Sequence, residues 1–234
     1  MTTGTNFIES AKKNLQALGL KPVAIEPGLK RIEVPGGTID LEVFEGDKIE
    51  KVVFSSIKVH EMSVAEESVI IWPADYYDIP VLWCNLTAMP GMNVSILDFI
   101  PLMDIVVWPD YAERYLALLP EIKEETLEIL KETITEKDFP LSSIVGWTMS
   151  PYRTLLKLTD EGIPKIPAVL SLYCNAYAEL LRKAVPSTYA EDRKFSKRKK
   201  EGVRKLMKEN DPGYPIMLSI FGEENTGKVF DIVF

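Results

Sequence analysis

The sequence predicts an α+β fold in which helices cover a sheet, and three observations predict it. Short β-rich runs separated by turn residues fill residues 31–99, helical periods dominate the rest of the chain beyond them, and no Pro- or Ser-rich linker or internal repeat divides it. The 234 residues are 46% hydrophobic and 26% charged, a globular balance with enough chain for one large core, so a single domain over residues 1–234 is expected.

Taken in order, Asn6 to Leu18 carries Phe7, Ile8, Ala11, Leu15 and Leu18 at helical spacing, with Gly19 as a stop. Strands follow at Arg31 to Val34, Thr38 to Phe44, Ile49 to Val59, Val69 to Trp72, Val81 to Thr87 and Asn93 to Phe99. Gly36-Gly37, Gly46-Asp47 and Pro90-Gly91 supply turns between them, and such close spacing favours an antiparallel meander. Asp110 to Leu119 and Ile122 to Thr135 return to the helical period. Ala168 to Ala184 places Leu170, Tyr173, Tyr177, Leu180 and Leu181 on one side of a helix entered after Pro167 and ended near Pro186. The basic segment Ala190 to Glu209 and the apolar Ile216 to Phe221 close the chain as two further helices.

Several functional classes are disfavoured. A formal net charge of −8 opposes general nucleic-acid binding, because a phosphate backbone repels such a surface. No apolar run approaches the roughly 20 residues that span a bilayer, and Met1 to Ser10 lacks the order of a signal peptide, so a cytoplasmic protein is expected. Cys84 and Cys174 sit in apolar segments and read as buried free thiols. There is no phosphate loop, dinucleotide fingerprint or metal-spaced Cys and His grouping. The lone histidine, His60, stands in a charged loop and reads as solvated. Any redox chemistry then needs electrons from outside.

The stretch Trp72-Pro73-Ala74-Asp75-Tyr76-Tyr77-Asp78-Ile79-Pro80-Val81-Leu82-Trp83-Cys84-Asn85, with Asp98-Phe99-Ile100-Pro101 after it, resembles the ferredoxin-dependent bilin reductases. A second match, in the family's order, is Asn210-Asp211 ahead of an apolar helix ending in Phe221-Gly222-Glu223-Glu224 and a hydrophobic Phe230 to Phe234. The resemblance implies a three-layer α/β/α sandwich with a central antiparallel sheet. A linear tetrapyrrole would lie between the sheet and the C-terminal helices. It also implies that reduced ferredoxin delivers single electrons directly to the bilin, with no cofactor or metal held by the protein. A monomer is expected.

The resemblance also places candidate residues. Asn85 falls where many members have the central-strand Asp that protonates or hydrogen-bonds the bilin; an Asn keeps the hydrogen bonds but is no acid, and it also reads as a buried amide satisfied by backbone. Asp211 falls where members carry an acid reaching the pocket from the opposite side, though Asn210-Asp211-Pro212-Gly213 has turn and N-cap chemistry too. Ser68 replaces the histidine of the phycocyanobilin branch. Glu66 and Glu67 alongside it face opposite ways on a strand, and surface placement of both is expected. Arg153 falls roughly where relatives hold bilin propionates, or is solvated. Lys197, Arg198, Lys199, Lys200 and Arg204 belong to a run of nine basic residues from Arg193 to Lys208, read as a docking face for acidic ferredoxin or as a solvated helix face. A non-catalytic tetrapyrrole binder and a chlorophyll-catabolite type of reductase are the rival readings.

Overall fold

A computed structural model describes residues 6–141 and 143–234. Of the start read above for a leader, residues 1–5 lie outside the described residues. The chain runs α1 (Phe7–Leu15), β1 (Lys21–Pro22), α2 (Pro27–Lys30), β2 (Arg31–Val34), β3 (Gly37–Gly46), β4 (Ile49–Val59), β5 (Val64–Pro73), β6 (Val81–Met89) and β7 (Met92–Ile100). It continues through α3 (Pro109–Tyr115), α4 (Leu119–Leu130), β8 (Ile134–Lys137), α5 (Ser143–Thr148), β9 (Thr154–Leu158), α6 (Ile166–Lys183), α7 (Ala190–Asn210) and α8 (Tyr214–Val233). Among the described residues no helix is long and apolar enough to cross a membrane.

Nine strands form one antiparallel sheet in the order β1-β3-β4-β5-β6-β7-β9-β8, with β2 paired to β3. Three of these strands, β1, β8 and β9, lie outside the sequence reading. The helix read over Ile122 to Thr135 stops at Leu130, and β8 and β9 follow within the helical half, β9 pairing with β7 and β8 forming the sheet edge beyond it. β5 also starts five residues earlier than Val69, at Val64, which puts Glu66 and Glu67 on a paired strand.

Helices cover both faces, as a three-layer α/β/α sandwich. Alternation sends Val52, Phe54, Val69, Ile71, Leu82, Cys84, Leu86, Leu97 and Phe99 to one face, where they pack on Phe7, Ala11 and Leu15 of α1 and on Leu170, Tyr173, Cys174 and Tyr177 of α6. The thiols of Cys84 and Cys174 are free and buried within this layer. On the other face Val53, Ile70, Trp72 and Ile100 meet Val203 and Met207 of α7 and Met217, Phe221, Val229 and Phe230 of α8.

The second layer is fixed at one end of the sheet by polar contacts. Lys200 Nζ donates to Glu50 Oε2 at 2.6 Å, to Pro73 O at 2.9 Å and to Asp75 Oδ1 at 2.5 Å. Lys51 Nζ and Trp72 Nε1 donate to the Ile232 and Val233 carbonyls at 2.6 and 2.9 Å, satisfying acceptors that the last helical turn leaves open. Two glycines shape the layer. A Cβ on Gly37 would stand 2.4 Å from the Lys58 carbonyl oxygen and 2.7 Å from Phe221 Cζ, so the close approach of α8 to β3 requires its absence. Gly222, at φ 78° and ψ 168°, breaks α8 into two helical segments. A straight helix would separate Tyr214 from Phe230 by about 24 Å, yet their rings lie 4.9 Å apart, so the chain doubles back at Gly222.

Candidate functional site

Three rows of side chains cross the second face of the sheet. Strand register aligns Val53, Ile70, Trp83 and Asp98 in one row, Ser55, Ser68, Asn85 and Ile96 in the next, and Ile57, Glu66, Thr87 and Val94 in the third. The polar residues of the last two rows floor a cavity of about 520 Å³. Its roof is Met207, the turn Asp211-Pro212-Gly213, Ile216, Met217, Val229, Phe230, Val233 and Phe234, and Phe139, Pro140, Leu141 and Val145 form a side wall. The walls are mostly apolar, with a few convergent polar groups, the form of a site for a large organic ligand.

The polar groups are linked. Ser55 Oγ and Ser68 Oγ share a 2.7 Å hydrogen bond. The Thr87 hydroxyl lies between Asn85 Oδ1 at 3.2 Å and Glu66 Oε2 at 3.4 Å, and the Asn85 side chain hydrogen-bonds Glu66 as well. Asn85 therefore sits in the cavity floor rather than being spent on backbone, while its own carbonyl accepts from Ser95 Oγ at 3.2 Å.

Asp211 combines the turn chemistry read for it with a place at the cavity. Its Oδ1 accepts the Gly213 N–H at 2.7 Å, the turn chemistry, and the residue lines the cavity roof. Burial pushes its carboxyl above the ordinary range. Glu66 is a correction: the structure places it in the cavity floor, not on the surface, while Glu67 alternates to the opposite face of β5. Burial, and then the facing charge of Asp211, push the Glu66 carboxyl up to about 7, against the hydrogen bonds from Thr87 and Asn85. The signal was present, because Glu66, Ser68 and Ile70 share one parity and hence one face. Among the described residues lining the cavity, Glu66 and Asp211 are the only ionisable side chains.

Behind Trp83 lies Asp98, fully buried, which the sequence reading used only as a motif position. It accepts Ser150 Oγ at 2.5 Å and the Ser150 N–H at 2.8 Å, and burial pushes it up to about 6. Arg153 belongs to the segment that carries Ser150. It is not among the cavity-lining residues; its guanidinium reaches the Ser150 carbonyl at 3.4 Å, and its charge acts on Asp98. His60 is exposed, with Nδ1 3.3 Å from the Pro35 carbonyl, and does not line the cavity.

The basic run on α7 divides by helical phase. Lys197 and Arg198 are exposed, Lys197 bridging Asp75 at 2.7 Å. Lys199 is half-buried with Nζ 2.8 Å from the Met103 carbonyl. Arg204 pairs with Glu50 at 2.7 Å and stacks 4.5 Å over the Trp72 ring. Lys200 cannot belong to a docking face: it is 2% exposed, because it shares the buried stripe of Ser196, Val203 and Met207. Among the described residues no three His, Cys, Asp or Glu side chains converge in a way that could hold a metal ion.

A sequence model of the family described as ferredoxin-dependent bilin reductase matches residues 8–232. Among solved structures, phytochromobilin synthase from tomato, crystallised in complex with biliverdin, resembles the chain with a TM-score of 0.78 at 18% identity. The likeness covers 95% of this chain and 78% of that one. No curated protein sequence matches the chain.

Proposed function

The chain belongs to the ferredoxin-dependent bilin reductase family, and from that premise we propose that it reduces a linear tetrapyrrole, biliverdin or a dihydrobiliverdin, inside the cavity between the sheet and α7–α8. The observation that carries this reading is the cavity itself: about 520 Å³, apolar on most sides, with Asn85 in the floor and Asp211 in the roof. Reduced ferredoxin supplies electrons one at a time. Asn85 accepts a pyrrole N–H or donates to a lactam oxygen, fixing how the bilin lies, and Ser68 offers a second hydroxyl contact on the same row. Asp211, whose carboxyl burial pushes above the ordinary range, delivers a proton from the opposite side. The exposed Lys197 and Arg198 steer the acidic donor, while Lys199 and Arg204 contribute charge from partly covered positions. The protein acts as a cytoplasmic, single-domain monomer.

A non-catalytic tetrapyrrole binder is the second reading, favoured by Asn85 and Ser68 standing where relatives keep proton-donating groups. Anaerobic incubation with biliverdin, ferredoxin and a ferredoxin-reducing system separates the two by absorption spectroscopy. A bilin complex that then converts is the expected result. A stable complex without conversion would establish the binder, and no spectral shift on mixing would overturn both.

A further inference from the structure

We infer that Glu66 is a proton donor to the bound bilin, filling the acidic role that Asn85 and Ser68 cannot, and that it works as a pair with Asp211 across the cavity. The inference rests on the bilin-reductase reading above. Glu66 stands on the same face of β5 as Ser68, one row nearer Thr87, which displaces the acid by about 7 Å along the strand. The Thr87 hydroxyl connects it to Asn85, so a group that orients the bilin and a group that can protonate it share one hydrogen-bonded chain. Asp211 faces it from the α7–α8 turn, and no other ionisable side chain among the described residues lines the cavity.

Two facing carboxyls in an apolar cavity resist being ionised together, so the pair titrates as a unit. Reducing one carbon–carbon double bond of the bilin consumes two electrons and two protons. Two molecules of reduced ferredoxin give one electron each and are oxidised; Glu66 and Asp211 give one proton each to bilin carbons in turn, each carboxylate being reprotonated from water before the other gives up its proton. The row displacement moves proton delivery along the tetrapyrrole relative to an acid at position 68 or 85, so the product depends on Glu66.

The test compares wild type, Glu66→Gln and Glu66→Asp for biliverdin binding by absorbance titration and for ferredoxin-dependent turnover across pH. Glu66→Gln is expected to bind biliverdin but to lose turnover by about 100-fold or more, and Glu66→Asp to restore part of it. Wild-type turnover is expected to fall above about pH 7, and Glu66→Asp to move that limb. Turnover of Glu66→Gln within about threefold of wild type, with an unchanged product and pH limb, would overturn the assignment while leaving the bilin-reductase reading intact. Wild type that neither binds nor reduces biliverdin would overturn that reading and, with it, this inference. Should Glu66→Gln fail to fold, the pH limb of Glu66→Asp decides: a limb at the wild-type position overturns the assignment.

Discussion

Ser150 gives Asp98 both of its polar hydrogens, the backbone N–H to Oδ2 at 2.8 Å and the hydroxyl to Oδ1 at 2.5 Å. These bonds tie the segment that follows α5 to β7, close behind the cavity side wall. Ser150→Ala removes the stronger one and should destabilise the protein by about 1–3 kcal/mol. Asp98 is ionised above its folded value of about 6, and the hydroxyl supports that charge. The loss should therefore be larger at pH 8 than at pH 5, as urea unfolding at both values would register. Equal losses would mean that Asp98 does not ionise in the folded state.

Glu66 makes a distinct pH prediction in the ligand-free protein. Its folded carboxyl stands at about 7 against 4.5 when unperturbed, so the folded state holds the proton more tightly than the unfolded one. Its contribution is complete below about pH 4.5 and is lost as pH rises through 7. Glu66→Gln should remove that decline and gain up to about 3 kcal/mol at pH 8 relative to wild type. The difference between the two proteins is the readout, since Asp98 adds a decline of the same sign to both. A wild type and variant with parallel pH profiles would contradict it.

Asp211→Asn separates chemistry from structure, because an Asn oxygen can still accept the Gly213 N–H that closes the turn. The variant should fold and bind biliverdin while turnover falls about 100-fold. Unchanged turnover and product would remove Asp211 from the proton path.

The division of the basic run predicts two different failures. Lys197→Glu with Arg198→Glu should cut kcat/KM for ferredoxin about tenfold at low salt and less at high salt, because exposed charges are screened. Lys200→Met should instead destabilise the fold by about 2–4 kcal/mol, since Glu50 and Asp75 lose a shared buried ammonium, with no added salt dependence in the kinetics. Stopped-flow rates and denaturation midpoints distinguish them.

Much of the architecture was legible in periodicity. α1, α6, β4, β6 and β7 announce themselves through apolar spacing, because each buries a continuous stripe or face. β8 and β9 do not: Ile134–Lys137 is almost wholly exposed and Thr154–Leu158 is a five-residue run amid turns, and only the pairing of β9 with β7 and of β8 with β9 makes them strands. The site was legible where chemistry and family order coincided, at Asn85 and Asp211. Glu66 shares the parity of Ser68, yet which face of β5 meets a cavity is decided by the helices above it. Lys200 could have been read from its four-residue interval to Ser196, which belongs inside, but the density of charge around it suggested water. Arg153 illustrates a different limit, since sequence order put it near the site while its guanidinium turns back to the Ser150 carbonyl three residues away.

Gly222 decides more than a bend. Were α8 straight, its 20 residues would project about 30 Å as a single rod, and Phe230 would be nowhere near Tyr214 or the cavity. The room above Glu66 and Asn85 thus owes its ceiling to one pair of main-chain angles. Space is not the reason for glycine there, for a Cβ would meet nothing within 4 Å; handedness is. The cavity's ceiling is thereby written into the backbone, and it holds only so long as that one residue stays bare.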